Sequence, residues 1–130
     1  MPVNMLWDDP DKSILRFEYQ GKWTWEELHN AIVQAADELH ETRYRVDTIH
    51  DLTDSRGLPP DALARAPSIA RQLSNRNGIV VVIGGAFFNT MLSIFNRVYP
   101  QFGSASRYKS AHTLDEAYDL IEQSRASEQS

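Results

Sequence analysis

No cysteine occurs in the 130 residues, which excludes a disulfide framework and every thiolate-bound metal site. A chain of this kind suits a reducing cytoplasm, and that is where it is expected to work. A basic surplus is missing as well. Thirteen Lys and Arg stand against 18 Asp and Glu, for a net charge of −5, whereas a general nucleic-acid binder carries excess positive charge. No apolar run approaches the roughly 20 residues of a membrane-spanning helix. The opening MPVNMLWDD has no basic region leading into an apolar stretch, so no signal peptide is expected. Glycine and proline are scarce at six each, and 42% of residues are hydrophobic, so low-complexity and disordered classes are excluded. A chain this long holds one core, not two.

The residues that are present alternate between two periods. Val3, Met5 and Trp7, then Leu15, Phe17 and Tyr19, recur at every second position and predict two strands joined through the turn residues Asp8 to Lys12. Thr24 and Glu27 form a capping box, after which Trp25, Leu28, Ala31, Ile32, Ala35, Ala36 and Leu39 share one face of a helix. Val46 to Leu52 reads as a polar third strand, followed by a turn over Thr53 to Gly57 and a second helix with Pro60 in its first turn and a break at Pro67. Ile79 to Ile83 is continuously apolar, as in a central strand covered on both faces. A third helix carries Phe87, Phe88, Met91, Leu92, Ile94, Phe95, Val98 and Tyr99 over an arc of about 160°, wider than the roughly 100° a core-facing helix needs. Ser106 to Ala111 completes the strands. Thr113 and Glu116 cap a last helix burying Leu114, Ala117, Tyr118, Leu120 and Ile121.

The order β-β-α-β-α-β-α-β-α predicts one compact α/β domain with a mainly parallel sheet of about five strands and four helices. The domain is expected over residues 1–123, with 124–130 a frayed tail.

The hairpin, the helix after GKWTWEEL, the strand ending VDTIHDLTDSRGLPP, and IVVVIGGAFFNTMLSIFNRVYP followed by SASRYKSAHTLDEAYDLI resemble bacterial proteins of the STAS-like class, also described as STAS/CRAL-TRIO-like. The resemblance spans roughly residues 5–122 and implies a domain similar in fold to anti-sigma-factor antagonists. It further implies a non-enzymatic regulatory module that binds a protein partner or an apolar ligand. In those antagonists a similar Asp-Ser-Ser/Thr-Gly-Leu stretch presents a hydroxyl for phosphorylation. Here Asp54-Ser55-Arg56-Gly57-Leu58 has Arg56 at the second hydroxyl position, and Ser55 reads as a turn serine capped by Asp54.

Asp51 and Asp54 lie towards the carboxyl end of the third strand, where α/β sheets place ligands. The bland reading is loop capping and buried hydrogen bonding. Alternation sends Asp47, Ile49 and Asp51 to one face and Val46, His50 and Leu52 to the other, which undermines a hydrolytic set built on His50, Asp51 and Asp54. Gly84-Gly85 between strand and helix could hold a phosphate, but without the third glycine of a dinucleotide fingerprint a tight turn suffices. His29 and His40 are about 16 Å apart along the first helix and cannot share a metal. Phe87, Phe88, Leu92 and Tyr99 fill either the core, an apolar pocket or a dimer surface.

Residues 43–76 hold six Arg against four Asp, a net of +2 that leaves −7 on the remainder. Such asymmetry can steer an acidic partner or a second copy. The expectation is therefore a non-enzymatic interaction module without metal or cofactor. Its partner is another protein or a second copy, and its binding residues are drawn from Asp51, Asp54, Ser55, Arg56, Gly84, Gly85, Phe87, Phe88, Leu92 and Tyr99. The alternative is a small carrier for an apolar or anionic-headed molecule.

Overall fold

The structure, a computed structural model of the chain, describes residues 2–39, 44–57, 59–61, 64, 65, 78–84, 90, 93, 94, 97 and 108–129. Five strands, β1 (Val3–Trp7), β2 (Ile14–Gly21), β3 (Asp47–Ser55), β4 (Val80–Ile83) and β5 (Tyr108–Ala111), form one sheet in the order β1-β2-β3-β4-β5. The sheet is mixed. β1 and β2 run antiparallel with Met5 opposite Phe17, and the pairs β2/β3, β3/β4 and β4/β5 are parallel.

The hairpin between β1 and β2 closes on Asp9. Its carboxylate accepts from the amides of Ser13 (2.9 Å) and Ile14 (3.1 Å) and from the Ser13 hydroxyl, while Lys12 takes φ +55°. Asx-type turns of this kind replace backbone partners that the turn cannot supply.

Helix α1 (Trp25–Leu39) starts on the expected capping box: the Glu27 amide donates to Thr24 Oγ1 at 3.2 Å and the Thr24 amide donates to Glu27 Oε1 at 2.9 Å. Leu28, Ala31, Ile32, Ala35 and Leu39 are buried, whereas Ala36 is exposed, at the margin of the apolar stripe. Helix α2 (Leu114–Gln129) has half of its box. Thr113 Oγ1 accepts from the Glu116 amide (3.1 Å), but Glu116 reaches one residue further back, to the His112 amide (3.0 Å).

The two helices cover opposite faces. Leu15, Phe17, Tyr19, Val46 and Leu52 point towards α1, and Ile49, Val81, Ile83 and Ala111 pack with Ala117 and Ile121 of α2. Both faces of the central strands are therefore buried, which is why β4 needs an unbroken aliphatic run.

Three boundaries differ from expectation. Residues 53–55 are strand, not turn, because β3 keeps pairing with β2 through Gln20 opposite Asp54 and Gly21 opposite Ser55, past an irregularity between Glu18 and Gln20. The Arg56 amide extends the ladder by donating to the Gly21 carbonyl at 2.9 Å. Pro60 precedes its helical turn: Asp61, with φ +64°, accepts from the Arg65 amide. The segment 124–130, expected to fray, is helical as far as Gln129, and Ser124 and Arg125 are anchored in an ionic cluster described below. Of the four expected helices, the first and last are α1 and α2. Most of the other two lies outside the described residues, although Ala64, Arg65, Thr90, Ser93, Ile94 and Arg97 are each helical.

Candidate functional site

The carboxyl ends of the parallel strands β2 and β3 lie side by side, with Gly21 opposite Ser55, the end at which open α/β sheets place their ligands. Both strands there run into turns, and Gly21 and Gly57 take positive φ of 58° and 79°, a conformation that favours glycine. The turns bring two sequence-distant stretches together. Lys22 to Trp25 enters α1, and Arg56 to Pro60 leaves β3; between them is an open cleft of about 310 Å³.

Aromatic rings line one side. Tyr19 and Trp23 are 4.8 Å apart, and Trp23 meets Trp25 edge to face at 5.4 Å and 88°. Trp23 is buried and Trp25 partly so. Both indole N–H groups are already used: Trp23 donates to Ser55 Oγ (2.8 Å) and Trp25 to the Pro60 carbonyl (2.6 Å). Ser55 in turn donates to the Gly57 carbonyl at 2.8 Å, so its hydroxyl braces the turn against the Trp23 ring. What the rings offer the cleft is apolar surface, joined by Pro59 and Pro60. Lys22 and Arg56, both exposed, supply its charge. The Arg65 guanidinium lies 5.7 Å from the Trp25 ring centre, a cation–π contact.

Beneath the cleft, Tyr19 Oη and His50 Nδ1 are hydrogen-bonded at 2.8 Å, and the His50 ring stacks on Phe17 at 5.2 Å. Desolvation lowers the His50 pKa to about 4 and pushes the Tyr19 phenol far above its ordinary range. The pair is neutral near pH 7. Asp51 leaves the opposite face of β3 and accepts from the Thr53 amide (3.1 Å) and hydroxyl (2.6 Å). His50 and Asp51 therefore do not converge, and the hydrolytic grouping of His50, Asp51 and Asp54 is not assembled.

Of the residues singled out in the sequence, Arg56 lines the cleft, and Ser55 braces two of its lining residues, Trp23 and Gly57. Asp54 is exposed beside them, and Asp51, in the middle of β3, accepts from the Thr53 amide and hydroxyl where the pairing with β2 shifts register. Gly84 is buried at the carboxyl end of β4, next to β3 and at the same edge of the sheet, but it does not line the cleft. Gly85, Phe87, Phe88, Leu92 and Tyr99 lie outside the described residues. Among the described residues no three His, Asp or Glu side chains converge as metal ligands.

The sequence reading missed Trp23, Trp25, Pro59 and Pro60. The available signals were Trp-Thr-Trp at a helix N-cap and a Pro-Pro pair; neither says what it faces until β2 and β3 are paired.

A second polar cluster sits at the other end of β3. Asp47 is fully buried and accepts from the Ile79 amide (2.8 Å), from Arg45 (2.8 Å) and from Arg125 Nε (2.8 Å). Arg125 also donates to the Ser13 carbonyl at 3.0 Å, and Arg45 to Ser124 Oγ at 2.8 Å. Gly78 closes the cluster, since a Cβ there would lie 2.2 Å from the Val46 carbonyl oxygen and 2.6 Å from Asp47 Oδ1. Every oxygen of this carboxylate is occupied, and the cluster ties the amino ends of β2, β3 and β4 to α2.

A solved structure of an uncharacterised protein of the DUF3478 family from Shewanella loihica, described as having a SpoIIAA-like fold, superposes with a TM-score of 0.65 at 17% identity, covering 92% of this chain and 91% of that one. The chain has a SpoIIAA-like fold. This is the fold of STAS-like anti-sigma-factor antagonists, as the resemblance in sequence implied. No protein-family model matches the chain, and no curated protein matches it in sequence. At 17% identity the likeness shows the SpoIIAA-like architecture alone.

Proposed function

We propose that the protein is a non-enzymatic regulatory module of the STAS-like class, acting by protein–protein contact through the cleft at the carboxyl ends of β2 and β3. The SpoIIAA-like fold carries this reading. The character of the cleft supports it: aromatic rings with satisfied N–H groups, two prolines and two flanking cations make a recognition surface. No helix among the described residues is long and apolar enough to cross a membrane, so the contact is not built on a helical span within them.

The competing carrier function would need a pocket that encloses its ligand. Small-molecule sites bury most of the ligand surface, whereas Lys22, Thr24, Arg56, Gly57 and Pro60 around this cleft are all exposed. The native mass of the purified protein, compared with its denatured mass, tests the reading. A whole number of bare chains is expected; a reproducible excess of small-molecule size would overturn it.

A further inference from the structure

We infer that the cleft takes an acidic segment of a partner protein, seating one aromatic or aliphatic side chain against Trp23, Trp25, Pro59 and Pro60 while neighbouring carboxylates meet Lys22 and Arg56. This rests on the interaction reading above and names the chemistry of its partner. Charge is the first argument. The chain as a whole carries −5, yet both charged residues that line the cleft are basic, and Arg65 over the Trp25 ring adds a third cation beside it. No acidic residue among the described ones lines it. Exposed Asp54 and Asp61 flank the lining segment in the chain, so the attraction for carboxylates is local to the mouth of the cleft, where the charged lining residues are basic.

Hydrogen bonding supplies the second argument. Because Trp23 and Trp25 have spent their N–H groups on Ser55 and Pro60, the aromatic side can contribute burial and stacking but no directional donor from an indole. Lys22 and Arg56 at the edge supply the directional charge, which suits a side chain flanked by acids along a polypeptide. Size agrees. A volume of about 310 Å³ is near the lower limit for small-molecule sites and accommodates one large side chain with its neighbours left in solvent.

The test is a selection of random heptapeptides displayed on phage against the immobilised full-length protein, followed by synthesis of the enriched sequences and titration by tryptophan fluorescence. Peptides with two or more Asp or Glu beside a Phe, Trp or Leu are expected. Their binding should weaken with added salt and fall about ten-fold or more on Arg56→Glu or Lys22→Glu. Both side chains are exposed, so both variants should keep the wild-type circular dichroism. Enrichment of neutral or basic peptides, no enrichment at all, or acidic peptides that bind Arg56→Glu as tightly as wild type would overturn the assignment. Displacement of every peptide by 3-phenylpropionate at equal concentration would do so too, pointing to a small carboxylate. A bare native mass together with basic peptides lost on Trp25→Ala would remove the acidic chemistry while leaving the interaction reading standing.

Discussion

His50 is the residue whose environment most changes its chemistry. Its imidazole lies against Phe17 and Tyr19, and the folded pKa falls to about 4 from an ordinary 6.5. Between those two values the unfolded chain binds the proton that the folded chain refuses, so stability drops as pH falls from 6.5 towards 4 and this contribution levels off below it. Asp9, lowered by its hydrogen bonds from Ser13 and Ile14 against an opposing burial effect, loses its stabilisation only at more acid pH. Urea unfolding from pH 7 to pH 4 should therefore show a decline that His50→Gln reduces; an unchanged slope in that variant would assign the loss elsewhere. The sequence showed which face His50 occupies, because period 2 in a strand is strict. It could not show Tyr19 as partner, since that contact crosses from β2 to β3, 31 positions away.

At the scale of elements, local signals were the legible ones. The Thr24/Glu27 box and the Asp9 turn involve residues no more than five apart and form as their spacing requires. The third strand and the last helix were misjudged where tertiary partners override local chemistry: Asp54 and Ser55 are turn residues by type, but β2 supplies a ladder for them. The polar residues 124–129 continue the helix, with Arg125 reaching the Asp47 carboxylate on β3. A buried carboxylate that loses one of its cations is costly, because desolvation is no longer offset. Deleting residues 124–130 should therefore lower stability by about 3 kcal/mol in chemical denaturation, with Arg125→Ala accounting for most of it. A change near zero would mean that Arg45 alone satisfies Asp47 and that the tail is dispensable.

For the molecule as a whole, the order of elements and the alternation of faces carried the fold. The strands lie in the sheet in their chain order, β1-β2-β3-β4-β5, an antiparallel hairpin followed by three parallel pairings. The cleft was legible only in part. Ser55 and Arg56 came from a stretch that resembled a known motif, whereas the tryptophans and prolines become a surface only when the ends of β2 and β3 are set side by side. Shape made from two distant stretches is a property of the fold rather than of either stretch.

The central claim is that this cleft is where a partner protein binds. Site-specific incorporation of a photo-crosslinking amino acid at Arg56, and separately at the exposed Glu122 of α2 on the other side of the sheet, would test it directly in the cells that produce the protein. The account predicts a discrete protein adduct from position 56, lost when Lys22 is also changed to Glu, and none from position 122. Adducts of equal yield at both positions, or none at position 56, would contradict it.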